Sequence, residues 1–238
     1  MTPAEELLTY VVGLNCYALL LIYLRSWLYR VPVYRPMVKN FWLSVLPLFV
    51  LVLVFAGIAV ADVAATRAVA IVVGIVGLGI WLLALPNSSY LITELNLNHR
   101  RDEDPVPLWY DIIAVLSFAM SGVINMVVAV LVVQMGFVVA VFGDTDSGAM
   151  RGAPARSLSV VIILLVSIGI YLGRYLRLNS WDVKSPRRMW AKVRDHFDSR
   201  AAIGGFVLFC LTHTVFLLLV YGLIVGPLMA ALVEATAD

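Results

Sequence analysis

Residues 51–60, LVLVFAGIAV, and residues 160–170, VVIILLVSIGI, decide the fold class. Neither alternates apolar with polar positions, as strands of a membrane barrel must. Both are apolar on every face of a helix. A bilayer core about 30 Å thick takes roughly 20 such residues at a rise of 1.5 Å each. Six blocks of suitable length occur, at about 7–24, 42–61, 68–85, 108–133, 157–176 and 203–226. The chain has 238 residues, is 62% hydrophobic and only 13% charged, and its mean hydropathy is +0.96. One water-soluble core cannot absorb that much apolar surface. The expectation is an all-α, polytopic transmembrane helical bundle, with residues 1–238 forming a single transmembrane domain.

The net charge of +2 matters less than its distribution. The first, third and fifth loops, with Arg174 at the end of the fifth block counted with the fifth loop, hold four, two and eight Lys and Arg residues, fourteen of the seventeen. The remaining three are Arg67, Arg151 and Arg156, and neither tail has any. By the positive-inside rule the loops around Arg35, Arg101 and Arg188 lie in the cytoplasm and both termini lie outside it. The expected location is the cell (inner) membrane. The opening MTPAEE is acidic where a cleaved leader is basic, so the first helix is expected to stay. Cys16 and Cys210 fall inside apolar blocks and read as small buried thiols.

The longest polar stretch, about 177–202, mixes Trp181, Trp190 and Phe197 with basic residues. That composition suits a helix lying on an anionic leaflet, where each Lys or Arg contributes about 1 kcal/mol and tryptophan favours the interface. Anionic membrane lipids are therefore the expected partners, and no nucleic acid is. No 20–50-residue repeat is present, nor is any HExxH, GxSxG or Cys/His metal spacing. No metal or other cofactor is expected. Gly74, Gly77 and Gly79 sit within a transmembrane run that lacks the strand and turn of a nucleotide loop.

Three motifs beside the apolar blocks share one membrane face in this topology: LPNSSYLITEL (85–95), PLWYD (107–111) and YLGRYLRLNSWD (171–182). Pro86 removes a backbone donor and disfavours helix at Leu85, so the third helix should kink or break there. If helix resumes, Asn87, Tyr90 and Glu94 fall on one face. Asp111, next to Tyr110, lies in the first turn of the fourth helix, where a carboxylate complements the helix dipole. Ser117, Ser121 and Asn125, with Gly122, make a stripe suited to helix packing, and Gly169 and Gly173 have the spacing of a close-packing pair. Arg174 and Arg177 follow on one face with guanidinium forks that fit a carboxylate or a phosphate. Asn179 and Asp182 end the motif. His213, ten to twelve residues into the sixth helix, is the deepest ionisable side chain, about 15–18 Å from the boundary. It is either a proton-sensitive group or a neutral, hydrogen-bonded one.

The three motifs, in this order, resemble the signature segments of a bacterial family of polytopic membrane proteins, domain of unknown function thirteen-sixty-one, over about 40–225. Family members often have proline where Ser89 stands and aspartate where Glu94 stands. The resemblance implies a multi-helix membrane fold and carries no activity.

Two function classes fit these residues. The first is a non-catalytic protein that binds or moves a small anionic or lipidic substrate at a polar cytoplasm-facing site, with Arg174 and Arg177 toward the anion. The alternative is a membrane enzyme acting on a lipid phosphate or prenyl substrate, with Glu94, Asp111 and Asp182 as metal ligands or acid/base groups. A structural or assembly role stands third, since paired charges and small-residue helix faces suffice for it.

Overall fold

The computed structural model describes residues 2–96, 105–143, 147–176 and 186–237. They form helices and connecting turns, with no strand among them. The helices are α1 (Pro3–Tyr29), α2 (Arg35–Ala64), α3 (Arg67–Ala84), the one-turn α4 (Pro86–Ser89), α5 (Leu108–Phe142), the one-turn α6 (Ser147–Met150), α7 (Ala153–Tyr175), α8 (Pro186–His196) and α9 (Arg200–Ala237). A 3₁₀ helix, Tyr90–Asn96, continues from α4. Among the described residues six helical segments are long and apolar enough to cross a bilayer, and the chain is a multi-pass membrane protein.

Most helices outrun the apolar blocks that announce them. A hydropathy pattern marks only the part in hydrocarbon, whereas a helix continues until its backbone hydrogen bonds are capped. At the start of α1, Thr2 and Glu5 form a reciprocal cap and Pro3 occupies the first turn, so the helix begins before the apolar run does. At its other end Arg30 takes a left-handed conformation (φ 54°) and stops it. The longest departure is α9, whose 38 residues rise about 57 Å against a core of about 30 Å.

The described residues group into two compact units. The first comprises Met1–Trp81 and Asn87–Ala129. Within it α3 lies so close to α2 that a Cβ on Gly77 would stand 2.7 Å from Val54. Two apolar clusters hold the unit: Ile22, Met37, Phe41, Leu91, Val115 and Phe118 form one, and Leu21, Val31, Val106, Tyr110 and Ala114 the other. The second unit comprises Leu82–Pro86 and Val130–Asp238. Here α7 packs along α9, and Gly169 of α7 accepts the ring of Pro86 where a side chain would collide.

The helix break at Pro86 is present, with Leu85 as a turn between α3 and α4. Past the break, the backbone departs from the expected α-helical face. From Tyr90 the chain winds at three residues per turn, which eclipses Leu91 with Glu94 rather than Tyr90 with Glu94. Leu91 is fully buried, and Glu94 is drawn toward the protein with it.

Candidate functional site

Two groups of polar and aromatic side chains collect near helix ends, one in each unit. In the first, the carboxylate of Asp111 is fully buried in the first turn of α5 and accepts a 2.7 Å hydrogen bond from Nε of Arg25. Arg25 stands in the last turns of α1 and is itself buried. Its guanidinium is brought there by the helix that carries Leu21 and Ile22 into the core. Tyr110, the neighbour of Asp111, donates its hydroxyl hydrogen to the Leu21 carbonyl at 2.9 Å and meets Tyr29 edge-on at 5.3 Å. Pro105 and Pro107 set up the start of α5, with the Tyr110 amide bonded to the Pro107 carbonyl.

Glu94 is half-buried and accepts a 3.2 Å bond from the Asn40 side-chain amide of α2. Tyr90 and Asn87 are half-buried beside it in sequence. Deeper along the same helices runs a polar ladder. Asn15 and Asn125 exchange two amide hydrogen bonds, at 2.8 and 3.0 Å, and Asn125 also reaches the Ser44 hydroxyl at 3.5 Å. Ser88 donates to the Ser44 carbonyl at 2.6 Å. The stripe that contains Asn125 therefore joins helices, and its Gly122 lies where a Cβ would collide with the Ser88 carbonyl. The Ser89 hydroxyl and the Trp81 indole N–H are buried without a hydrogen-bond partner among the described residues.

The second unit gathers aromatic rings at the end of α7 and the start of α9. Tyr171 stacks on Tyr175 at 4.6 Å and meets Phe206 and Phe209 edge-on at 4.9 and 5.3 Å. Its hydroxyl is hydrogen-bonded to Nε2 of His196 at 2.7 Å. Val193, His196 and Phe197 thus hold α8 against α7 and α9, while Arg187, Lys192 and Arg194 remain exposed. Trp190, on the same helix, is 70% exposed. Between α7 and α9 lies an open groove of about 410 Å³ lined by Tyr171, Tyr175, Gly205, Leu208, Phe209 and Thr212. Arg174, half-buried on the last turn of α7, makes no ion pair among the described residues. Arg177, Asn179 and Asp182 lie outside the described residues.

His213 is half-buried and follows the groove-lining Thr212 by one residue. Its Nδ1 contacts the Phe209 carbonyl at 2.9 Å and its ring stacks on Phe209 at 3.7 Å, both contacts within its own helix. Farther along the second unit, Gln134 of α5 accepts hydrogen bonds from Ser159 of α7 and Tyr221 of α9 and donates to the Met150 carbonyl. Among the described residues no three His, Cys, Asp or Glu side chains gather as a metal site would require.

Sequence reasoning singles out Asp111, Tyr110, Glu94 and Arg174, and misses Arg25, Asn40 and Asn15. Arg25 does carry a signal, being the one basic residue of its helix and directly following the apolar run YALLLIYL. A count of loop charges takes it as one more boundary cation. Asn40 and Asn15 have no comparable mark, since a single amide on a helix does not say which neighbour it meets.

The chain belongs to the family described as "Protein of unknown function (DUF1361)", whose family model matches residues 39–220. No curated protein and no solved structure matches it.

Proposed function

For this member of the family we propose a binding role: the protein takes up, or moves, a small anionic or lipidic substrate at the cytoplasm-facing end of its second unit, in the cell (inner) membrane. The observation that carries this reading is Arg174, a half-buried guanidinium with no carboxylate partner among the described residues, beside an open aromatic groove and near the exposed basic side chains of α8 in sequence. A guanidinium held at a membrane boundary is stabilised by an anion, and its planar fork suits a phosphate or carboxylate oxygen pair. The orientation follows from the fourteen-to-three charge bias of the loops. Acid/base catalysis is less well supported, because the Asp111 carboxylate is engaged by Arg25 and Glu94 by Asn40.

The test compares Arg174→Ala and Arg174→Lys with the parent protein after purification in mild detergent. Co-purifying phospholipids are measured by mass spectrometry and normalised to folded protein. Loss of anionic lipid in the alanine variant, with partial recovery in the lysine variant, is the expected outcome. An unchanged lipid profile in both variants overturns the lipid form of the reading.

A further inference from the structure

We infer that the groove between α7 and α9 seats one acyl chain of an anionic phospholipid, whose headgroup lies toward Arg174 and the basic side of α8. The inference deepens the proposed binding role and rests on it for the charge of the headgroup.

Three features of the groove point to a chain rather than to a compact ion. First, its shape is elongated: Gly205, Leu208, Phe209 and Thr212 recur at three- and four-residue intervals on α9, a strip about 10 Å long at 1.5 Å per residue. Second, its chemistry is largely apolar, with Tyr171 and Tyr175 contributed by α7 and Leu208 and Phe209 by α9. A volume of about 410 Å³ lies within the usual range for a small-molecule site, about 300–1,000 Å³. Third, the groove is open and lies between two helices long and apolar enough to cross a membrane, so hydrocarbon chains are the apolar matter at hand. Leu208 is 64% exposed and Tyr175 55% exposed, which is expensive in water and neutral against a lipid tail.

Charge fixes which lipid. Arg174 lies on the last turn of α7, between the groove-lining Tyr171 and Tyr175 in sequence. Arg187, Lys192, Arg194 and Arg200 are exposed on α8 and at the start of α9. Cations beside an apolar slot complement an anionic headgroup above its tail.

Gly205 supplies a clean way to close the groove. A Cβ there meets nothing within 4 Å, and the same holds for its neighbour Gly204, which does not line the groove. Gly205→Leu therefore adds bulk at the groove with no clash at its Cβ, and Gly204→Leu is the control for helix propensity and added bulk.

The probe is phosphatidylglycerol carrying a photoactivatable group in its acyl chain, incorporated in phosphatidylcholine vesicles with the full-length protein. Labelled peptides are mapped by mass spectrometry. Labelling is expected to concentrate on residues 205–212 and on Tyr175. It should fall severalfold in Gly205→Leu, because the added side chain occupies part of the slot, and stay unchanged in Gly204→Leu. Labelling spread evenly along α9, or equal in the two glycine variants, overturns the groove as the seat of the chain. If photoactivatable phosphatidylcholine labels the groove as strongly as phosphatidylglycerol, and Arg174→Ala changes neither, the anionic headgroup is overturned together with anion binding at Arg174. Detergent-purified variants with the same unfolding midpoint as the parent protein are required for each comparison.

Discussion

The two polar regions handle a shared problem differently. Around Asp111 in the first unit, an acid and a base are buried and held at 2.7 Å, the neighbouring tyrosine is anchored on a backbone carbonyl, and a ladder of amides and hydroxyls joins α1, α2, α4 and α5. Around Arg174 in the second unit, the guanidinium has no acid among the described residues, and the rings beside it enclose an open groove. A cation whose counter-charge is built in acts as a structural tie, since its field is used up by that partner. One that meets no acid among its described neighbours keeps its field for a ligand. On the proposed reading, the first region serves stability and the second serves binding.

The largest effect that could break this contrast is expected at the buried pair. Arg25→Ala leaves the Asp111 carboxylate buried beside an empty space, and should cost about 3–5 kcal/mol in SDS-driven unfolding from mixed micelles. The double variant Arg25→Leu with Asp111→Leu should recover most of that loss, because two apolar groups need no counter-charge. If Arg25→Ala unfolds like the parent protein, the pair is not a tie and the first region becomes a candidate binding site again.

A smaller effect is expected at Gly122, where a methyl group would collide with the Ser88 carbonyl and stand 2.9 Å from Leu91. Gly122→Ala should lose about 1–3 kcal/mol in the same unfolding measurement, the usual range for overpacking. Removing an amide from the ladder is milder. Asn125→Ala should lose about 0.6–1.7 kcal/mol, as interhelical hydrogen bonds in bilayers do, and Asn15→Ala on top of it should add little because the two share their bonds.

The smallest effect sharpens the other side. Arg194, highly exposed and 3.8 Å from an equally exposed Asp195, should be replaceable by alanine with no measurable change in unfolding. Arg174→Ala should likewise leave the unfolding midpoint close to the parent value while changing the retained lipid. A large drop in that midpoint would move Arg174 into the structural class.

Legibility in the sequence varies residue by residue. LVLVFAGIAV and the other apolar blocks determined the six spanning segments, because hydrocarbon leaves a backbone only the choice of helix or closed barrel. Pro86 determined a break. Asp111 was marked by its place after Pro105 and Pro107, and Gly122 with Asn125 was marked as a packing stripe. Helix ends were less legible: the C-terminal part of α5 lies beyond the hydrophobic window that revealed it.

Tertiary structure decided the rest. That Asp111 meets Arg25, 86 positions away in the chain, depends on how α1 lies against the start of α5, and a charge on a helix carries no address for its partner. The turn to three residues per cycle after Ser89 redirected Glu94 toward Asn40, a change of face that a 3.6-residue reading cannot anticipate. The groove has no sequence signature at all. Tyr171, Tyr175, Gly205 and Thr212 are ordinary membrane-helix residues until α7 and α9 bring them to opposite walls of one space. Composition and periodicity are local quantities and determined the helices; a cavity is defined by surfaces that face each other, and only packing creates it.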